Sequence, residues 1–265
     1  MACQQCLTLY NTLLSDAARG MQVGPSYNCA APLKGDLYSG IVFVGRAVNG
    51  WPIDFTKNQA FDANQRTQII SRILEPEGCY SHPYLRCTLL DSECARPMHW
   101  RVHPRLRAPR GLRTRSRFEE VIAITMNRLG ERGDAHNSLW HEEHGWANLY
   151  QVAPPTGNPG TALSNAQREA SAALLRHILF EHSEWNPRAI VFITESISTS
   201  VLNYIEPFRE LLGIEGADVI ANSMLMASGS IGDVPIAISR RPDARRRSGL
   251  ALDLATELAD WLGRG

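Results

Sequence analysis

Apolar residues recur along this chain in two rhythms. Gly40-Ile41-Val42-Phe43-Val44-Gly45 is a continuous apolar run ending at glycine. That suits a strand buried on both faces of a parallel sheet. A second strand is expected from Trp146 to Val152, running into Pro154-Pro155-Thr156-Gly157-Asn158-Pro159, where regular structure cannot continue. Ala166, Ala170, Ala173, Leu174 and Ile178 then follow a helical period. Ser164 and Gln167 have capping-box spacing, and Asn186-Pro187 is the stop. Ala189 to Thr194 reads as another buried strand. A helix over 199–212, a short strand near 217–221, a strand from Pro235 to Ser239 and an amphipathic helix at about 250–262 complete the series.

Strands alternating with helices predict an α/β fold, in three α/β/α layers around a central, largely parallel sheet. The length suits a single domain over residues 1–265, with no internal repeat and no low-complexity linker. Residues 76–115 break the alternation. They carry three Cys, three His, five Pro and a run of arginines with little periodicity, as expected of an irregular surface insertion.

Charge changes this picture more than composition does. The formal net charge is zero, yet Arg96 to Arg117 holds eight Arg and no acid, and Arg240 to Arg247 holds five Arg against Asp243. These two runs contain 13 of the 27 Lys and Arg, so the rest of the chain is strongly acidic. Clustered arginine on a neutral protein points to a phosphate backbone, and DNA is the expected partner. No apolar run approaches the ~18–20 residues of a membrane span, so no membrane is expected. The start, MACQQCLTLYNTLLSD, lacks the basic and apolar regions of a signal peptide, which points to the cytoplasm.

Ligands of an open parallel sheet bind outside the carboxyl ends of the strands. Three segments leave such ends: Gly45 to Trp51, Asn148 to Pro159, and Arg240 to Asp243. Their glycines, amides and arginines suit a flat polar ligand beside phosphates.

A family resemblance rests on these same segments. Ile41-Val42-Phe43-Val44-Gly45 and the small-residue loop after it resemble the first motif of the uracil-DNA glycosylase superfamily, a strand and a Gly-initiated loop such as GQDPY, GMNPG or GEAPG. Asn148-Leu149-Tyr150-Gln151-Val152-Ala153-Pro154-Pro155 looks like its second strand, Asn-x-x-Lys-Cys-Arg-Pro-Pro. The helix with Gln167, the strand Ile190 to Thr194, and Arg241-Pro242 at the family's late His-Pro loop follow in the same order. The resemblance covers about 41–60 and 145–245, and it implies a glycosylase-like fold acting on a base in DNA.

The resemblance assigns roles position by position. Asn148 is the base-reading candidate, since an amide both donates and accepts toward a pyrimidine edge. Ala47 stands where the family carries a water-activating residue and does no acid–base work. Asn49 is the nearest polar group to position water, and Asp54 the nearest carboxylate to stabilise positive charge on the sugar. Trp51, Phe55 or Phe61 would supply the stacking face. Arg241 replaces the family's His and stays protonated, so it would hold a phosphate or the leaving base. Arg46, Arg113, Arg115, Arg240 and Arg245 are the expected DNA contacts. These departures suggest a modified base rather than plain uracil, such as a hypermodified cytosine of phage DNA, in a phage-defence enzyme.

Other readings stand beside this one. Cys3-x-x-Cys6 is similar to the N-terminal pair of the iron–sulfur branch. However, Val152 and Ala170 occupy the other ligand positions, so no cofactor is expected and zinc or iron–sulfur at Cys3 and Cys6 is the minor reading. His141-Glu142-Glu143-His144 lacks the spacing of a metalloprotease helix and is expected as a solvated loop. Ala47 and the missing His support an alternative, a catalytically inactive nucleic-acid- or partner-binding protein. A third is an unrelated α/β enzyme acting on a free nucleotide.

Overall fold

The computed structural model describes residues 4–29, 32, 40–47, 53–74, 117–129, 144–155, 158–181, 185–197, 200–220, 223–241 and 249–263. The insertion at 76–115, Asn49, Trp51, Arg113, Arg115, Arg245 and Cys3 therefore lie outside the described residues. Packing divides the chain into two compact units, each assembled from separate stretches. The first comprises 1–33, 46–99 and 147–182, and the second 34–45, 100–146 and 183–265.

In the first unit, helix α1 (Gln4–Gly20) buries Cys6, Tyr10, Leu13, Leu14, Ala17 and Ala18, a stripe at helical spacing. It packs on a second helix, α5 (Thr161–Arg176), whose buried face includes Leu163, Ala170, Leu174 and Leu175. The approach is closest at Gly20, where an added Cβ would lie 2.5 Å from the backbone oxygen of Ala162. Only glycine leaves room there. The chain after α5 widens into a π-turn, His177–Glu181.

Three short strands form a sheet of their own in this unit. Strand β1 (Ser26–Cys29) lies between β3 (Asp54–Thr56) and β5 (Val152–Ala153), antiparallel to both. Helices α2 (Lys57–Phe61) and α3 (Ala63–Leu74) follow β3 directly. Thr56 and Gln59 close a capping box on α2, and Asp62 accepts from the backbone N–H of Gln65 to start α3.

A six-stranded sheet, with β6, β7, β8 and β9 in the second unit, has the order β4 (Gly145–Tyr150)-β2-β6-β9-β8-β7. Its centre is parallel: β2 (Ile41–Ala47) pairs with β6 (Ala189–Glu195), and β6 with β9 (Val234–Arg240). Every residue of β6 is buried, as the uninterrupted apolar run requires of a central strand. Strands β7 (Ile214–Val219) and β8 (Leu225–Ile231) extend β9 as an antiparallel meander. Helix α4 (Arg117–Arg128), which buries Val121, Ile122 and Met126, packs on the last helix, α7 (Gly249–Leu262), which buries Leu254 and Leu258. The chain is thus α/β, with a mixed sheet whose parallel strands sit at its middle.

Several boundaries differ from the sequence pattern for physical reasons. β2 runs through Gly45 to Ala47, so the glycine lies within the strand rather than at its exit. The strand expected over 146–152 is two: β4 (Gly145–Tyr150) bends at Gln151, and β5 continues in the other sheet. Gln151 Nε2 donates to the carbonyl of Asn148 at 2.6 Å and fastens the bend. Helix α5 starts at Thr161 after an N-cap at Gly160, so Ser164 and Gln167 do not form a capping box. Ser164 Oγ donates instead to the carbonyl of Pro159 at 3.1 Å. Residues 200–205 are not helical. A 3-10 turn, Glu206–Phe208, leads into the short α6 (Arg209–Leu212), because the backbone N–H groups before it are engaged by Glu195.

Candidate active site

The candidate carboxylate Asp54 opens β3 in the first unit and is exposed. It sits directly across from Asn28 of β1, and their side chains share one face of the small sheet. Asn28 Nδ2 donates to Asp54 Oδ1. Asn28 itself is 1% exposed, and its own Oδ1 is buried without a hydrogen-bond partner. On its other side Asn28 pairs with Ala153 of β5. A chain of strand pairings therefore runs from Asp54 through Asn28 to Ala153 of β5.

Asn148 is buried on β4, and its carbonyl accepts from Gln151. The segment beyond it is fixed by Gln167, a fully buried amide on α5. Gln167 accepts from the Val152 backbone N–H at 2.9 Å and donates to the Val152 carbonyl at 2.7 Å. One side chain thus completes both hydrogen bonds of that strand residue, as a neighbouring strand would. Phe55 points to the opposite face from Asp54, because successive strand residues alternate. At 2% exposure its ring belongs to the core of the first unit and offers no open face for a base. Phe61 is exposed, with the Lys57 ammonium 5.7 Å from its ring centre. Arg46 is half-buried on β2.

In the second unit the carboxyl ends of the parallel strands are polar. Glu195 ends β6 completely buried. Its carboxylate accepts from the backbone N–H groups of Asn203 at 2.7 Å, Ile205 at 2.8 Å and Tyr204 at 3.1 Å. Thr194 Oγ1 donates to it at 3.3 Å. Those bonds commit the carboxylate to the chain and pin the connection after β6. Arg240 ends β9, and Arg241 follows it. The Arg240 N–H donates to Met224 and the Arg241 N–H to the carbonyl of Glu195, at 2.9 and 2.7 Å. Arg240 Nε is buried without a hydrogen-bond partner.

His144, expected in a solvated loop, is instead 2% exposed, with its ring edge against Phe43 at 5.7 Å between centroids. It leads into the buried strand β4, and the strand carries it inward. Burial lowers its pKa from 6.5 to about 4, so the imidazole is neutral at pH 7. Cys6 and Cys29 are buried thiols. Among the described residues no group of three or more His, Cys, Asp or Glu is placed to hold a metal, and no helix is long and apolar enough to cross a membrane.

No protein-family profile, curated protein or solved structure matches the chain. The functional reading therefore rests on its own residues. Sequence reasoning reached Asp54, Asn148, Arg240 and Arg241 but missed Asn28 and Glu195. Asn28 lies in Ser26-Tyr27-Asn28-Cys29, too short a run to register as a strand. Glu195 follows an apolar run that a polar residue would ordinarily end.

Proposed function

We propose that the protein is a DNA glycosylase. It would flip a damaged or modified base out of the duplex and hydrolyse its N-glycosidic bond, leaving an abasic site. The fold proposed for it is the three-layer arrangement of the uracil-DNA glycosylase type. The observation that carries the reading is the exposed Asp54 carboxylate, held by a buried amide in the unit that also carries Asn148. A carboxylate so held serves to position water or to stabilise the positive charge on the sugar as the bond breaks. Asn148 would read the base, and Arg46, Arg240 and Arg241 would meet phosphates. Asn49 remains the second candidate for positioning water. The departures at Ala47 and Arg241 favour a modified base, with hypermodified cytosine of phage DNA as one substrate and phage defence as the setting.

The test is incubation of the purified protein with duplexes carrying uracil, mispaired thymine or deaminated purines, and with phage DNA carrying plain, hydroxymethylated or glucosylated cytosine. Alkali or abasic-site endonuclease then reveals excision. Cleavage of a modified-base substrate is expected, with Asp54→Asn slowing it on the order of 100-fold or more. Preference for unmodified uracil would overturn the substrate assignment.

One observation favours a second reading. β2 continues as strand through Ala47, so the glycine does not open a loop as in the glycosylase motif. A catalytically inactive nucleic-acid- or partner-binding protein fits that feature. Salt-sensitive DNA binding without cleavage of any substrate would select it.

A further inference from the structure

Asn28 poses a question that the fold alone does not answer. It is one of the few polar side chains in the interior of the first unit, at 1% exposure, and it lies on a strand of four residues. The asparagine is also incompletely satisfied. Nδ2 donates to Asp54 Oδ1, whereas Oδ1 is buried and has no hydrogen-bond partner. A buried carbonyl oxygen without a donor is a cost that native proteins rarely carry without a use.

The orientation of the amide is determined by its partner. Turning the amide over would set Oδ1 against the carboxylate oxygen of Asp54, acceptor against acceptor, and leave Nδ2 as the orphan. The orphaned oxygen is therefore the consequence of pointing the donor at Asp54. Asn28 is the only hydrogen-bond partner of the Asp54 side chain among the described residues, and the bond takes one of its two carboxylate oxygens. The other remains available on an exposed residue. A buried, rotationally restricted amide grips one oxygen and directs the second outward. The antiparallel register, Asn28 opposite Asp54 and Tyr27 opposite Phe55, sets the two side chains on the same face with no intervening residue.

We infer that Asn28 is the positioning residue for Asp54. Buried in β1, it fixes the direction of the carboxylate that acts on the substrate, without itself touching the substrate. The inference rests on the glycosylase reading and on the role of Asp54 within it.

The experiment is a double-mutant cycle in single-turnover base excision, on whichever duplex of the panel the wild type cleaves. Asn28→Leu removes the donor and keeps the branched shape of the side chain, and Asn28→Ser restores a hydroxyl donor in a smaller side chain and serves if the bulkier leucine does not fit the fold. Thermal unfolding confirms that each variant is native. The expected result is a fall in the excision rate constant of roughly 10-fold or more for Asn28→Leu with half-saturating DNA concentration unchanged. Asn28→Ser should recover part of it. In the Asp54→Asn background Asn28→Leu should cost no further activity, since a residue acting only through Asp54 has nothing left to position. A merely structural role would give an equal loss in both backgrounds, and that result overturns the inference. So does an Asn28→Leu protein with the wild-type rate while Asp54→Asn is slowed; either result leaves the glycosylase reading standing. A wild-type protein that excises no base from any duplex overturns the glycosylase reading and this inference together.

Discussion

Replacing Glu195 by glutamine tests how the connection after the central strand is held. Oε1 of Glu195 accepts from the N–H groups of Ile205 at 2.8 Å and Tyr204 at 3.1 Å, and Oε2 from Asn203 at 2.7 Å and Tyr204 at 3.1 Å. In Glu195→Gln one oxygen becomes an NH2 group. Whichever oxygen is replaced, a close backbone donor then faces another donor. A buried N–H left without an acceptor costs about 1–3 kcal/mol. The surviving bonds also lose the assistance of the charge, since hydrogen bonds to ions contribute ~1.5–3 kcal/mol against ~0.5–1.5 for neutral pairs. Against this, a neutral amide is cheaper to bury than a carboxylate, which returns part of the loss. The net expectation is a destabilisation of about 3 kcal/mol, a large share of the ~5–15 kcal/mol that holds an ordinary domain together. Urea unfolding followed by tryptophan fluorescence measures it. The midpoint should fall with an unchanged slope, and limited proteolysis should begin cutting within 196–205. A Glu195→Gln protein within about 0.5 kcal/mol of wild type, equally resistant to protease, would show that these hydrogen bonds do not hold the segment.

Two further expectations concern stability. Gln167→Leu removes both partners of the Val152 backbone in the interior, and about 2–4 kcal/mol should be lost in urea unfolding; a smaller loss than 1 kcal/mol would mean that β5 does not depend on this side chain. His144 introduces a pH dependence. Its pKa is 6.5 in an unfolded chain and about 4 in the fold, so between these values the unfolded chain binds the proton and the native protein does not. The contribution is therefore complete above pH 6.5 and is lost as pH falls toward 4, with a total on the order of 3 kcal/mol. Urea midpoints at pH 7.5, 6, 5 and 4 should fall in that order, and His144→Phe should flatten the decline. An undiminished slope in His144→Phe would assign the acid sensitivity to other groups.

The apolar runs determine much of this fold by themselves. Ile41 to Val44 and Ala189 to Ile193 have no polar residue to turn toward water, so they have to be central strands of a sheet covered on both sides, and they pair in parallel as expected. The leucine and alanine spacing of the last helix is legible for the same reason, that one face must find a core. The strand pattern of Pro235 to Ser239 puts Arg240 and Arg241 at its end, and β9 closes at Arg240. Local pattern does not reach contacts between residues distant in sequence. Asn28 and Asp54 are 26 residues apart, and only strand pairing reveals that they face each other. Gln167 has a capping-box spacing that local reasoning takes at face value, yet the backbone N–H and carbonyl of Val152, 15 residues away, offer it two buried partners instead. The helical pattern over 199–212 yields to Glu195 because a buried carboxylate needs donors and the nearest backbone supplies them. Buried polar groups must find partners wherever the folded chain brings them. The core is therefore written in the sequence, while the polar pairs of the candidate site are decided only by the tertiary structure.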